Sequence, residues 1–154
     1  MPAASSPEFT MILIVEDNSD DSHLLTRELA KFHLDRAIRV IPDGRTALEY
    51  LLRVSPPPYA VFLDLRLPRL SGIELLQEIR REPRLHALPV IVMTNSIDPA
   101  DAETCARLGV CAYARKPIDP DLIKTIIICG DSQWSFLPRP VDPHFADCGT
   151  VYAS

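Results

Sequence analysis

The sequence predicts an α/β fold in which a parallel sheet carries helices on both faces. Along residues 11–129, five short apolar runs typical of buried strands alternate with segments whose apolar residues recur at helical spacing. Crossover connections between such strands produce a parallel sheet. A chain of 154 residues with 47% hydrophobic content is long enough for one domain of this kind, and we expect no second full domain.

The first two strand and helix pairs are predicted within residues 11–52. Residues 11–15 form an unbroken apolar run, and residues 37–41 alternate apolar residues with Arg39, as in a strand near a sheet edge. The helices that follow are predicted from their apolar stripes, which are Leu25, Leu29 and Phe32 after Ser19, and Ala47, Leu48, Leu51 and Leu52 after Asp43-Gly44.

The remaining elements follow the same alternation. Strands are predicted at residues 61–63, 90–93 and 110–113, and the last helix runs from about residue 119 to 129. The two helices between these strands have end signals: Ser71 as a cap and Pro83 as a stop for the third helix, and Asp98 as a cap, Pro99 at the first position and Gly109 at the end of the fourth. In the third helix, Ile73, Leu76 and Ile79 form the apolar stripe, while Glu74, Glu78 and Arg80 are expected to lie more outward.

Polar side chains follow four of the predicted strands. Residues 61–63 lead directly into Asp64, a single carboxylate four residues before Pro68. The others are Glu16 and Asp17 after the first strand, Thr94 after the fourth and Lys116 after the fifth. Each of them could be an ordinary helix cap, loop hydroxyl or solvated cation. Because open α/β sheets bind ligands at the carboxyl ends of their strands, the whole set favours one functional site.

The predicted cluster has the groups that phosphoryl transfer to a carboxylate requires. Three converging carboxylates repel one another, and a hard divalent cation with oxygen ligands would neutralise them. We therefore expect Mg²⁺ as the cofactor. The charge that develops on phosphoryl oxygens also needs fixed donors, which a hydroxyl and a lysine supply. Asp64 is the expected nucleophile.

At these residues the chain resembles the receiver domain of two-component response regulators. The resemblance is carried by Ile-Leu-Ile-Val-Glu-Asp-Asn at 12–18, Asp64 with Pro68 and Gly72, Val-Ile-Val-Met-Thr-Asn-Ser at 90–96, and Tyr-Ala-Arg-Lys-Pro at 113–117. It covers residues 11 to about 129. It implies a flavodoxin-like, doubly wound sheet of five parallel strands in the order 2-1-3-4-5, with five helices.

The resemblance also implies a role for each matched residue. Asp64 would accept a phosphoryl group from a histidine kinase, in a self-catalysed reaction of a signalling protein rather than an enzyme. The implied Mg²⁺ ligands are Glu16, Asp17, Asp64 and the backbone carbonyl of Arg66. The implied response involves Thr94 donating to the phosphoryl group, Lys116 pairing with it, Tyr113 moving inward as the conformational readout, and a cis peptide at Pro117.

Some features are similar to the stand-alone receivers paired with bacterial phytochromes. They are Asp21 after Val-Glu-Asp-Asn, the Pro-Arg-Leu-His-Ala-Leu-Pro segment at 83–89 before the fourth strand, and Trp134 near Leu137-Pro138. They imply a bacteriophytochrome as the kinase. Arg66 and Asn95 are bulkier or more charged than many receivers carry there, and we expect them to affect the lifetime of the phosphorylated state.

Three other classes are compatible with parts of the pattern. A haloacid-dehalogenase-like phosphatase also has an aspartate nucleophile after an apolar strand, but it needs a second aspartate where this chain has Arg66. A flavodoxin would bind FMN phosphate in the loop after the first strand, where residues 16–21 are mostly acidic. A degenerate receiver used only as an interaction module would not need Asp64, Thr94 and Lys116 intact.

Composition excludes several partners. The net charge is −5 and no basic run contains aromatics, so we expect no direct nucleic acid binding. Apolar runs of about five residues are far shorter than a membrane span, and the expected location is the cytoplasm. The four cysteines have no C-x-x-C spacing and are expected to be free thiols. Residues 1–10 are expected to be a disordered leader or expression scar, and residues 130–154 a partly disordered extension.

The last predicted helix suggests self-association. Placed at 100° per residue, its isoleucines cover a wider arc than one sheet face needs, which leaves Ile127 and Ile128 in excess, with Trp134 just beyond. An exposed apolar patch of this kind usually marks an interface. We therefore expect a homodimer through the fourth helix, fifth strand and fifth helix, unless residues 130–138 cover the patch within one chain.

Overall fold

The computed structural model describes residues 11–31, 38–95, 98–130 and 133–136, and it confirms the predicted fold class. Five parallel strands form one sheet in the order β2-β1-β3-β4-β5. The elements are β1 (Ile12–Val15), α1 (Ser19–Ala30), β2 (Ile38–Ile41), α2 (Gly44–Arg53), β3 (Ala60–Asp64), α3 (Gly72–Arg81), β4 (Val90–Thr94), α4 (Pro99–Arg107), β5 (Ala112–Arg115), α5 (Pro120–Ile126), β6 (Ile127–Gly130) and β7 (Gln133–Phe136).

The sheet buries apolar side chains on both faces, in two clusters. Successive strand residues point to opposite faces, so each strand contributes to both clusters. One cluster joins Leu13, Val15, Val61, Leu63, Val90, Val92 and Tyr113 to side chains of α2, α3 and α4. The other joins Ile12, Ile14, Phe62, Ile91, Met93, Ala112 and Ala114 to side chains of α1 and α5. The unbroken apolar runs of the sequence are explained by this burial on two sides.

The helix starts agree with the sequence signals. Asn18, Asp43, Ser71 and Asp98 are the N-caps of α1 to α4, and each side chain accepts a hydrogen bond from a backbone N–H in the first turn. Ser71 and Glu74 bond reciprocally to each other's backbone, which completes a capping box. These caps fix where each connecting loop turns into its helix, directly beside the strand ends.

Arg80 differs from its predicted outward position on α3. Its guanidinium donates hydrogen bonds to the backbone carbonyls of His86, Leu88, Leu108 and Gly109, at 2.7–3.3 Å. It therefore connects the end of α3 to the loop before β4 and to the end of α4. A periodic pattern places a charged residue on a helix face, but it does not show which carbonyls a long side chain can reach.

The predicted fifth helix is correct in its first half and wrong in its second. The chain leaves the helix after α5, and β6 pairs with β7 in an antiparallel two-stranded sheet, where Cys129 lies opposite Trp134. Ile127 and Ile128 belong to β6, so the argument that they extend the apolar face of the last helix is wrong. β-Branched residues lose rotamer freedom in a helix and are favoured in strands.

Other expectations differ in position or lie outside the described residues. The fifth strand begins two residues later than expected, because Ala112 pairs with Ile91 of β4. Residues 1–10, Phe32 and residues 137–154 lie outside the described part of the chain, and so do the predictions made for them. Cys105 is a free, buried thiol, as expected, and Cys111 is also buried. No helix in the described part combines the length and apolar character needed to cross a bilayer.

Candidate functional site

The carboxyl ends of β1, β3, β4 and β5 bring the predicted polar residues to one edge of the sheet. Glu16 follows β1, Asp64 is the last residue of β3 and Thr94 is the last residue of β4. All three are buried, with 2% of each residue exposed. Buried carboxylates at neighbouring strand ends need a partner, since an uncompensated buried charge is costly.

Lys116 supplies the positive charge at this edge. Its Nζ donates to Glu16 Oε1 at 2.7 Å, to Asp21 Oδ2 at 3.1 Å and to Asp64 Oδ2 at 3.2 Å. The Lys116 backbone N–H donates to the carbonyl of Thr94 at 2.7 Å, which continues the alignment of β5 with β4. The Lys116–Pro117 peptide bond is cis, as the resemblance implied. The amine lies among the carboxylates, where it can pair with an anion.

Backbone N–H groups hold the second oxygen of the two buried carboxylates. Glu16 Oε2 accepts from the Asn18 N–H at 3.0 Å, and Asp64 Oδ1 accepts from the Arg66 N–H at 3.1 Å. Each carboxylate is therefore fixed on one side by its own loop and on the other side by Lys116. This arrangement keeps both groups in a defined orientation at the sheet edge.

Three carboxylates of the site have the arrangement of a cation ligand set. One oxygen each from Glu16, Asp17 and Asp64 lie within 4.8 Å of one another. Asp17 is exposed, so the set opens to solvent, from which a hydrated cation can enter. Carboxylate oxygens suit Mg²⁺, which keeps several waters and takes few protein ligands. The carbonyl of Arg66 as a further ligand remains a prediction.

The electrostatics of the cluster follow from its burial. Burial raises the pKa of Glu16 to about 7, and the hydrogen bonds from Lys116 and Asn18 only partly offset this effect. Burial disfavours the charged amine of Lys116, but the hydrogen bond to Glu16 and the charge of Asp64 outweigh it and raise the pKa of Lys116. Lys116 is thus a permanent cation, and a bound divalent ion would favour the ionised form of Glu16.

The comparisons with known proteins agree with this geometry. The response regulator receiver domain profile matches residues 12–128. The chain belongs to this family. Receiver domains are signalling modules, and this one is 36% identical over 121 residues to the probable methanogenesis regulatory protein FilR2 of Methanothrix harundinacea, an alignment that covers 75% of this chain and 78% of that protein.

Solved structures of phytochrome response regulators resemble this receiver domain. The bacteriophytochrome response regulator RtBRR is 33% identical with a TM-score of 0.68, over 76% of this chain and 75% of that one. The Mn²⁺-bound form of response regulator Rcp1, a protein of Synechocystis, is 32% identical with a TM-score of 0.64, over 75% of this chain and 88% of that one. The resemblance to stand-alone phytochrome response regulators inferred from the sequence is therefore confirmed.

Tyr113 is fully buried in this receiver domain, on β5 beneath α4. Burial raises the pKa of its phenol to about 12, and the neighbouring charges lie on α4 and at its cap. Cys105 of α4 is buried in the same cluster. The residue expected to report phosphorylation is thus packed inward against α4 in this structure, with Thr94 at the end of the adjacent strand.

Arg66 and Asn95, the two residues expected to affect the phosphorylated state, closely follow elements that carry site residues. Arg66 and Asn95 are exposed, two residues after Asp64 and one after Thr94 respectively. The backbone N–H of Arg66 donates to Asp64 Oδ1. An effect of these two side chains on the phosphorylated state remains a prediction.

One residue of the site had no predicted role. Asp21 was named only as part of the resemblance to the phytochrome-paired receivers, but its carboxylate contacts Lys116 Nζ. The available signal was its position: Asn18 caps α1 directly after Glu16 and Asp17, so the first turn of α1 starts at the sheet edge. Of the predicted interface residues, Ile127 and Ile128 lie on β6 instead of on the last helix, and Trp134 lies on β7.

Proposed function

We propose that the protein is a phosphoacceptor whose Asp64 receives a phosphoryl group from a histidine kinase. The observation that carries this proposal is the placement of Lys116 Nζ within 3.2 Å of oxygens of both Glu16 and Asp64 at one end of the sheet. A nucleophilic carboxylate beside a fixed cation and an acidic ligand set is what phosphoryl transfer requires. Asp64, the buried acid that ends the central strand β3, is the acceptor.

The transfer replaces one bond to phosphorus by another. A carboxylate oxygen of Asp64 attacks the phosphorus of a phosphohistidine, forming an acyl phosphate while the P–N bond breaks. The electron pair of that bond stays on the imidazole nitrogen, which takes a proton from solvent. Lys116 meets the negative charge on the phosphoryl oxygens, and the backbone N–H of Arg66 already holds Asp64 Oδ1 in position.

Glu16, Asp17 and Asp64 would hold Mg²⁺ together with the carbonyl of Arg66. When bound, Mg²⁺ supplies positive charge that offsets the mutual repulsion of the carboxylates and of the incoming phosphoryl oxygens. The manganese form of Rcp1 supports a divalent ion in this role. In this proposal the two adjacent acids after β1, Glu16 and Asp17, are both metal ligands.

The signal would pass from Thr94 to Tyr113. In this proposal the Thr94 hydroxyl donates to the phosphoryl group, and its movement changes the space beneath α4 that Tyr113 occupies. A buried ring packed against α4 supports this part of the proposal, since a packed core responds to a shift by discrete rearrangement. The output would be a protein contact or onward phosphorelay, with no reaction catalysed on another substrate.

A bacteriophytochrome is the proposed kinase. The support comes from the phytochrome response regulators RtBRR and Rcp1, each at least 32% identical to this chain. Incubating the protein with candidate phytochrome kinases autophosphorylated with labelled ATP should transfer label to the wild type. Transfer from unrelated histidine kinases at equal rates would contradict this assignment.

Intact mass after incubation with acetyl phosphate and Mg²⁺ tests the acceptor itself. The wild type should gain about 80 Da, the mass of one HPO₃ group, because phosphorylation adds a single phosphoryl group. Asp64→Asn should gain nothing, and chelating the metal should abolish the gain in the wild type. Label that persists in Asp64→Asn would refute the assignment, and an unlabelled wild type would favour a receiver that acts only as an interaction module.

We also propose a homodimer through α4, β5 and α5. This proposal now rests on the family resemblance, because the helical arc that suggested it does not form. Light scattering at tens of micromolar should give a mass near twice the 17.2 kDa of one chain, with or without phosphodonor. A monomer under both conditions would contradict the proposal.

A further inference from the structure

The amine of Lys116 has no donor to spare in this structure. An ammonium group has three N–H donors, and here they face three different carboxylates, those of Glu16, Asp21 and Asp64. A phosphoryl group that arrives at Asp64 and pairs with Lys116 must therefore take a donor from one of them. The ease with which the phosphoryl group binds therefore depends on which carboxylate releases its hydrogen bond from Lys116.

Asp21 is more exposed than the other two carboxylates and is not one of the candidate metal ligands. The side chains of Glu16 and Asp64 are 1% and 3% exposed, whereas that of Asp21 is 28% exposed. Glu16 and Asp64 also contribute oxygens to the acidic ligand set, and Asp21 is not part of it. Asp21 and Lys116 line a cavity of about 220 Å³ beside the start of α5, from which water can reach the carboxylate.

Hydration makes Asp21 the carboxylate that can release the amine at least cost. A buried carboxylate that loses its cation is left uncompensated, whereas a partly exposed one is solvated instead. The bond of Lys116 Nζ to Asp21, at 3.1 Å, is longer than that to Glu16 at 2.7 Å and similar to that to Asp64 at 3.2 Å, so exposure and not bond length distinguishes Asp21 from Asp64. Until that release, Asp21 holds one donor of the amine, and its negative charge opposes the approach of an anionic phosphodonor.

From this geometry we infer that Asp21 is a positioning residue that withholds Lys116 from the phosphoryl group and so slows phosphorylation of Asp64. The inference rests on the proposed function, because it concerns the rate of that reaction. Asp21 touches neither phosphorus nor the acceptor oxygen and acts through Lys116. A substitution that removes the charge of Asp21 but keeps an oxygen acceptor should weaken the hold of residue 21 on the amine. The amine would keep its hydrogen bonds to Glu16 and Asp64.

The test is the initial rate of phosphorylation by acetyl phosphate, followed by intact mass with Mg²⁺ at saturation for each variant. Asp21→Asn should be about threefold to fivefold faster than the wild type, the upper part of the range for a partly exposed ion pair. Asp21→Glu, which restores the charge, should stay within about twofold of the wild-type rate.

Asp20→Asn is the matched control. Asp20 is exposed and is also an acid in the first turn of α1, so its neutralisation removes the same formal charge and a comparable interaction with the helix dipole. Its rate should stay within about twofold of the wild-type rate. Urea unfolding of each variant checks that the fold is retained, so that a rate change can be assigned to the site.

The outcomes separate this inference from the proposed function. A wild type that gains no phosphoryl mass overturns both. A wild type that is phosphorylated, with Asp21→Asn unchanged within twofold or slower, overturns the inference alone. The inference also fails when Asp20→Asn accelerates the reaction as much as Asp21→Asn does, because the effect then belongs to net charge and not to the contact with Lys116.

Discussion

At the carboxyl edge of the five-stranded sheet the structure agrees with what the sequence predicted. In the segment after Lys116, from α5 to β7, it agrees only in part. At the sheet edge, side chains that follow or end three of the strands, those of Glu16, Asp64 and Lys116, meet at hydrogen-bonding distance, as the pattern of the sequence predicted. In the segment, a helical pattern predicted up to Cys129 ends at Ile126, and a two-stranded sheet follows. The local sequence pattern predicted secondary structure correctly where the elements pack on the five-stranded sheet, and it failed beyond that sheet.

The segment carries signals of two kinds. Its isoleucines have helical spacing, but three of them are consecutive, and β-branched residues of this type are favoured in strands. Gly130 lies opposite Gln133 in the pairing of β6 with β7, so two residues separate the strands, which is the spacing of a tight hairpin. The Gly-Asp-Ser sequence at 130–132 is typical of a hairpin connection, and it competes with the helical spacing of the isoleucines before it.

Close backbone packing near the site can be tested at Gly44. A Cβ there would lie 2.0 Å from the carbonyl oxygen of Leu70, in the loop between β3 and α3, and the Gly44 N–H donates to the Pro68 carbonyl in the same loop. Gly44→Ala should therefore lower the free energy of unfolding by about 2–4 kcal/mol, measured by urea denaturation.

The control for this variant is Glu49→Ala, on the exposed side of the same helix, which should change the free energy of unfolding by less than about 0.5 kcal/mol. Equal values for the two variants would mean that the loop beside Asp64 moves freely to accept a methyl group. The packing at the sheet edge would then be no tighter than elsewhere, and it would not distinguish this edge from the segment after Lys116.

A smaller effect is expected at Arg66. Its exposed side chain follows Asp64 by two residues, and a long cation there can screen the phosphoryl group from water or pair with it. Arg66→Asn should speed the loss of phosphate about twofold to fivefold, measured by intact mass after the phosphodonor is removed. A rate within twofold of the wild type would make Arg66 an ordinary solvated arginine, and a slower rate would contradict the predicted direction.

The smallest effect is expected from deleting residues 131–154, which removes β7. The strands β6 and β7 form their own sheet, and in the described part of the chain β6 has no strand partner in the five-stranded sheet. The initial rate of phosphorylation by acetyl phosphate should therefore change by less than about twofold. A larger loss in a variant that keeps its urea midpoint would show that the segment supports the site.

Much of the fold and most of the site were predicted from sequence. Each buried strand has an apolar run, and each helix from α1 to α4 has a capping side chain within a few residues of the strand before it. Because parallel strands end at the same edge, Glu16, Asp64, Thr94 and Lys116 could be placed together without a structure. The fifth strand was displaced by two residues, since its register depends on pairing with β4.

The sequence by itself determined where the chain alternates between strand and helix, and which polar groups follow each strand. These are properties of neighbouring residues, and spacing and capping record them directly. Only the tertiary structure decided that Asp21 meets Lys116 across 95 positions, that Arg80 reaches four carbonyls, and that the chain after α5 pairs as strands. Such contacts depend on how whole elements pack, and no local pattern distinguishes a charged side chain that meets a partner from one that meets water.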